Sequence, residues 1–390
     1  MLSATLTVTA VVAVMVACGV LYQWQGARRD ARRLTSPGRL IEIRVPAAVT
    51  GAGAPAEDTR RLHLHCLGDG PVTVVFEAGL AASSLNFRAM QEAIAPFART
   101  CAYDRAGYGW SDRARGPRTA RAAAADLDAL LRAAHVPPPY LLVAHSFGTF
   151  VARVFAAEHA KDLAGIILLD PITAEEWMVP DRERRRLLRG GRFVSRLGAG
   201  LAAIGVVRFL LNRLMPPDDR DNADGELRAG SALPGAVLNL LGPNVVIAVR
   251  RIVGEVTKMP RALWPEVQAH WSRANCFLTM AQHFRALSPS AAEVQAVTPE
   301  CMPGVDLTAG RPSLGDVPLV VFSAANCAED HVERQRRLAC LSSRGTHVRA
   351  ATGGHWIHLD EPALVLDAIR RLARVDAAST KEREDLYSRP

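Results

Sequence analysis

Lysine is almost missing from this chain. Of its 47 basic residues only Lys161, Lys258 and Lys381 are lysines, so the formal net charge of +8 is carried by arginine. Aromatic residues make up only 6% of the sequence, and no recognisable module interleaves them with the arginines as stacking platforms. That combination argues against nucleic acid as a partner and for a surface that tolerates anionic lipid. No Cys-x-x-Cys pair occurs among Cys18, Cys66, Cys101, Cys276, Cys301, Cys327 and Cys340, which argues against a zinc site of the usual spacing. With Cys18 in the N-terminal apolar segment, six remain. An even number permits disulfides outside the cytoplasm, with Cys327–Cys340 closing a short loop; separate buried thiols are the alternative. There is no internal repeat.

No charge precedes Arg28, and residues 2–22 are almost continuously apolar, long enough to cross a bilayer core of about 30 Å. The missing basic leader disfavours a cleaved signal peptide, and Met15-Val16-Ala17-Cys18 is only a faint lipoprotein box. The expectation is an uncleaved single-span anchor. Arg28, Arg29, Arg32 and Arg33 would keep its C-terminal end cytoplasmic while the cysteine count leans the other way, so the side stays open. A second span is not expected, because Arg196 and Arg208 bracket only eleven residues. The Arg182–Met215 stretch reads instead as an amphipathic helix covering a pocket or lying on a membrane surface.

What is present is a core of 49% hydrophobic residues in 390, enough for one large α/β domain with an insertion. Apolar runs at Arg39–Val45, Arg61–Cys66, Val72–Glu77, Thr100–Tyr103, Tyr140–Ala144, Ile166–Leu169, Val317–Phe322 and His347–Ala351 read as strands. Helical patterns at 86–97, 118–134, Asp330–Leu341 and 361–374 lie between or after them. This alternation implies a parallel sheet covered on both faces. Residues 172–312 show helical periodicity without a strand, interrupted at Pro216-Pro217, Pro234 and Pro243. The expected organisation is an anchor and basic flank (1–33), a first core part (34–171), a helical cap (172–312), a second core part (313–376) and a polar tail (377–390). An Ala/Gly/Pro stretch at 47–57 reads as flexible.

The chain is organised around residues 138–171, where an apolar run from Tyr140 to Ala144 meets His145-Ser146-Phe147-Gly148 and then a helix and a second run ending at Asp170. Small residues at 144 and 148 let the chain reverse so sharply that the Ser146 hydroxyl projects from the strand end. This resembles the nucleophile elbow of the α/β-hydrolase fold superfamily, with Ala144 in place of the first glycine. Asp104-Arg105-Ala106-Gly107-Tyr108-Gly109-Trp110-Ser111 resembles that family's strand-four loop, and Gly354-His355 its terminal histidine motif. The resemblance covers about residues 60–175 and 315–372. It implies a mostly parallel α/β-hydrolase sheet with a helical cap inserted between strands 6 and 7.

A serine hydroxyl needs a base, and the base a carboxylate, in the chain order Ser, acid, His. The resemblance implies Ser146 and His355, with His358 structural. The acid usually follows the seventh strand, where Ser323-Ala324-Ala325-Asn326-Cys327 offers none. Asp170 is therefore the expected acid, with Glu329 and Asp330 as alternatives. Backbone N–H groups of Leu80 (or Ala81) and Phe147 would form the oxyanion hole. Glu77 stands where the family usually has histidine, without an evident role. His63 and His65 could face a metal but lack a third ligand; His145 is expected to be structural, and Trp264, Trp271 and Phe277 to be cap core. The expected activity is hydrolysis of small-molecule carboxylic esters, apolar or lipid-like, without cofactor or metal. A serine nucleophile disfavours epoxide hydrolysis and dehalogenation; amide or carbon–carbon hydrolysis, or a catalytically silent binding protein at the membrane, are the rivals.

Overall fold

The computed structural model describes residues 2–46, 57–215, 255–300 and 312–373. The 47–56 stretch, Pro216-Pro217, Pro234, Pro243, Cys301 and the 377–390 tail lie outside the described residues.

Eight strands form one sheet: β1 (Arg39–Pro46), β2 (Glu57–Leu67), β3 (Thr73–Glu77), β4 (Arg99–Tyr103), β5 (Tyr140–His145), β6 (Leu163–Leu169), β7 (Leu319–Ser323) and β8 (Gly345–Arg349). Their order is β1-β2-β4-β3-β5-β6-β7-β8, with β1/β2 and β2/β4 antiparallel and the rest parallel. The helices, in chain order, are α1 (Leu2–Arg33), α2 (Arg88–Ile94), α3 (Ala120–Ala133), α4 (Gly148–His159), α5 (Ala174–Trp177), α6 (Arg182–Ala203), α7 (Val206–Leu214), α8 (Trp264–Trp271), α9 (Ala274–Val297), α10 (Glu329–Arg337), α11 (Ile357–Asp360) and α12 (362–373).

Every residue of β3 and β5 is buried, which is why these strands read as unbroken apolar runs rather than alternating ones. Val74, Phe76, Leu141, Val143, Ile167, Leu169 and Phe322 pack with Phe87, Ile94, Val365 and Ile369 from covering helices. Each such side chain contributes about 1.5–3 kcal/mol by leaving water.

The chain divides into two compact units, Met1–Ser36 with Arg186–Phe284, and Pro37–Arg185 with Arg285–Pro390. Residues 172–185 and 285–300, at the ends of the expected 172–312 insertion, fall in the larger unit with the sheet. The reason is a buried ion pair. Arg153 of α4 binds Glu300 and both the hydroxyl and carbonyl of Thr298, and Glu300 accepts the backbone N–H groups of Ala174 and Glu175. A buried arginine left without that carboxylate would be strongly destabilising.

In the smaller unit α1 is joined to the insertion's helices. Arg208 donates to Gln23 and Asp30, Gln23 donates to the Ser272 carbonyl, and Asn212 donates to the Tyr22 hydroxyl. A Cβ on Gly19 would lie 2.3 Å from the Ile204 carbonyl oxygen, so only glycine admits this approach. The span Thr5–Arg33 has a mean hydropathy of 2.2 in its most apolar window and is long and apolar enough to cross a membrane. α6 and α7 meet at a 90° bend at Gly205. Trp264 and Trp271 are buried in this unit, Trp271 edge-on to Phe277 at 6.3 Å.

The cysteines correct one expectation. Cys327 and Cys340 are separate thiols, as the alternative reading had it, and among the described residues a disulfide joins Cys66 to Cys101. These two face each other across the antiparallel β2/β4 pair, with Cα atoms 4.1 Å apart. Residues so distant in sequence become neighbours only through strand order, so spacing along the chain could not point to this pair.

Candidate active site

β5 ends at His145, and Ser146 follows with φ of 52°, in the left-handed region that a non-glycine residue rarely occupies. Its N–H donates to the Leu169 carbonyl of β6 at 3.0 Å, and its carbonyl accepts from Thr149 as α4 begins. The strain is held by the sheet on one side and the helix on the other.

Asp170 ends the neighbouring strand in the same unusual conformation, φ 42°, with its N–H on the Phe322 carbonyl at 2.8 Å. Its carboxylate meets His355 across the strand ends, Oδ2 to Nδ1 at 2.6 Å. Burial by itself would raise the Asp170 carboxyl. The hydrogen bond and charge of His355 outweigh it and hold the group well below its ordinary value. Gln335 of α10 donates to Oδ1 at 2.8 Å and to the Pro171 carbonyl, and the Cys327 thiol donates to Oδ1 at 3.4 Å. Burial first, then Asp170, push that thiol up to about 12, so it stays a protonated donor. The structure thus brings Asp170 and His355 together. It leaves Glu329 and Asp330 on the surface, paired with Arg349 and Arg334 respectively.

His355 stands in the loop after β8. The loop is shaped by acceptors that the sequence reading missed: Glu361 takes the N–H groups of Thr352 and Gly353, and Asp360 takes that of Gly354. His145, one residue before Ser146, donates from Nε2 to the His355 carbonyl at 2.7 Å. Burial foremost, then His355 and His358, push His145 well below its ordinary value, so it stays neutral. His358 is buried and stacks on Phe87 at 4.6 Å between centroids.

The loop after β3 runs across the same turn. A Cβ on Gly79 would lie 2.8 Å from His145 Nδ1 and 3.4 Å from Ser146 Cβ, so Gly79 lies close against the serine turn. Ala81 follows with φ of 67°. Phe147, directly after Ser146, is buried at the head of α4. Glu77 is buried beneath this loop, accepting from the Tyr103 hydroxyl and from Arg105. Arg105 also donates to the carbonyls of Ala78 and Gly79. The Asp104 side chain fixes the adjoining loop through Ser84 N–H, Trp110 N–H and His63.

His63 and His65 are engaged elsewhere, His63 with Asp104 and His65 with Gln91. Among the described residues, the group whose ligand atoms lie close enough for a metal is Asp170, Cys327 and His331, all within 4.8 Å. The Gln335 amide nitrogen already bridges two of them, 2.8 Å from Asp170 and 2.9 Å from His331. The signals for Gln335 and Arg105 were beyond sequence reading, since each acts on a residue far away in the chain.

A family model described as alpha/beta hydrolase fold matches residues 72–190. The uncharacterized protein YqjL of Bacillus subtilis is 37% identical over 134 residues, covering 32% of this chain and 53% of that protein. An AB hydrolase superfamily protein of Gibberella zeae is 38% identical over 98 residues, covering 25% of this chain and 30% of its own length. The chain therefore spans about half or less of these curated relatives. A thermophilic esterase from Thermogutta terrifontis superposes with a TM-score of 0.52 at 20% identity, over 86% of this chain and 98% of the esterase. That likeness is one of fold.

Proposed function

The chain belongs to the α/β-hydrolase fold superfamily, and from that premise we propose that it is a serine hydrolase cleaving carboxylic esters with apolar or lipid-like parts. The observation that carries this reading is the Asp170–His355 hydrogen bond beside a serine held on a strained strand end. His355 takes the Ser146 proton as the hydroxyl attacks the ester carbonyl, and Asp170 orients the imidazole and stabilises its charged form. The resulting oxyanion is met by the N–H groups of Leu80 and Phe147. His355 then protonates the departing alcohol, and water, activated by the same base, clears the acyl group from Ser146. The α1 span anchors the enzyme in a membrane, which favours substrates that partition there.

A fluorophosphonate probe tests the nucleophile. Wild type should label and Ser146→Ala should not; absence of label on both would make the chain a binding module built on a hydrolase fold. Rates on p-nitrophenyl esters of increasing acyl length should rise beyond acetate if the substrate is apolar, and a flat or falling series would remove the lipid-like assignment.

A further inference from the structure

Arg105 is a costly residue to place where it is. Its guanidinium is buried beneath the loop after β3, 5.4 Å from the ring of Phe147. One terminal nitrogen donates to Glu77 and to the Ala78 carbonyl, and the other donates to the Gly79 carbonyl. Two successive carbonyls and a carboxylate are thus collected by one planar fork. A trans peptide is flat, and its C=O and N–H point in opposite directions. The Gly79 carbonyl and the Leu80 N–H belong to the same peptide. When Arg105 holds that carbonyl beneath the loop, the Leu80 N–H is turned to the opposite face. The close approach of Gly79 to Ser146 sets this loop against the nucleophile turn.

Resting on the proposed serine-hydrolase reading, we propose that Arg105, with Glu77 as its counter-charge, is the positioning residue of the oxyanion hole, locking the Gly79–Leu80 peptide against a flip. A flipped peptide would present a carbonyl oxygen to the developing negative charge in place of a donor. The loop needs such a lock because Ala81, next in line, already sits at φ of 67°, a conformation that favours rearrangement unless its surroundings fix it. Arginine suits the task because its donors lie in one rigid plane; an ammonium is a single point and cannot serve a carboxylate and two carbonyls in the same plane. Glu77 supplies the charge without which the guanidinium could not be buried, and Tyr103 holds the other Glu77 oxygen. This gives the buried Glu77 a role.

Arg105→Lys separates the fork from the charge. With p-nitrophenyl esters and the full chain, kcat/KM should fall about 10²–10³-fold, the range for loss of one oxyanion donor. KM should change little, because the lost interaction is made in the transition state. Inhibition by an aryl boronic acid, which adds to serine as a tetrahedral anion, should weaken in parallel with kcat/KM. Glu77→Gln keeps an acceptor but removes the counter-charge that holds the guanidinium, so it should lower stability and also lower kcat/KM and boronate affinity together, in the same direction as Arg105→Lys. A folded Arg105→Lys with boronate affinity and kcat/KM within about threefold of wild type overturns the proposal. So does a folded, destabilised Glu77→Gln whose kcat/KM and boronate affinity stay within about threefold of wild type, which decides the matter even if Arg105→Lys does not fold. If wild type itself takes no fluorophosphonate, the serine-hydrolase reading fails and the clamp falls with it; normal labelling beside an indifferent Arg105→Lys sinks the clamp alone.

Discussion

The two sides of the sheet use their buried polar groups differently. On the antiparallel side, β2 and β4 are tied by the Cys66–Cys101 disulfide, and Arg60 and Arg118 share the Asp126 carboxylate while Arg60 also holds Asp58. All four charged side chains are at most 4% exposed, and their charges are spent on one another. On the parallel side, at the C-terminal ends of β5 and β6, Ser146 and Asp170 sit in left-handed backbone, and Asp170 faces a histidine that is a third exposed. There the polar groups are oriented by neighbours without being consumed by them. The lesson is a division of labour: one side should govern stability and the other rate.

The sharpest way to break that division is Asp170→Asn. Asparagine tolerates the left-handed conformation, so the backbone is not penalised and the fold should persist. The imidazole, however, loses the charge that fixes its tautomer, and turnover should fall about 10⁴-fold. Ester hydrolysis measured beside thermal unfolding checks both halves. A near-wild-type rate would move the acid's role to Glu329 or Asp330.

The converse experiment replaces Cys66 and Cys101 together with alanine. The bridge closes a separation of 35 residues, for which loss should cost about 3–4 kcal/mol of unfolding free energy. Denaturant titration reads this, and kcat should be unaffected. A variant of normal stability, or one whose kcat collapses while folded, would erase the distinction between the two sides.

How much of this was legible beforehand follows from which interactions are local. The inner parallel strands β3, β5 and β6 announced themselves as apolar runs, because they are buried on both faces, and the elbow announced itself through the small residues around Ser146. Asp170 could be chosen because the usual position after β7 offered only Asn326 and Cys327; the structure sets Cys327 itself against the Asp170 carboxylate. What was illegible is long-range. The disulfide pairs across strands, Gln335 reaches Asp170 from another helix, and Arg105 reaches a loop 26 residues away. The grouping of α1 with the insertion depends on Arg208, whose partners Gln23 and Asp30 are more than 170 residues distant.

A smaller effect sharpens where the border between the two sides runs. Glu176 of α5 binds His331 and Arg334 of α10, next to the Gln335 that holds Asp170. Burial opposes ionisation of Glu176, but the His331 hydrogen bond and charge and the Arg334 charge prevail, holding it down at about 2 against an ordinary 4.5. Burial likewise opposes His331, yet Glu176 raises it above its ordinary 6.5. A depressed carboxyl contributes stability that is present above its unfolded value and lost as pH falls toward the folded one; a raised imidazole contributes stability present below its unfolded value and lost as pH rises through the folded one. The stability gap between wild type and Glu176→Gln should therefore be widest between about pH 4.5 and 6.5 and narrow on both sides, retaining at higher pH the part owed to Arg334. Because Gln335 keeps its bonds to Asp170 and the Pro171 carbonyl, turnover should change only severalfold. Denaturant melts of both proteins across pH 3–9 follow the gap. A gap that stays constant with pH would remove His331 from the network, and a collapse of turnover would carry the border of the catalytic side out to α5.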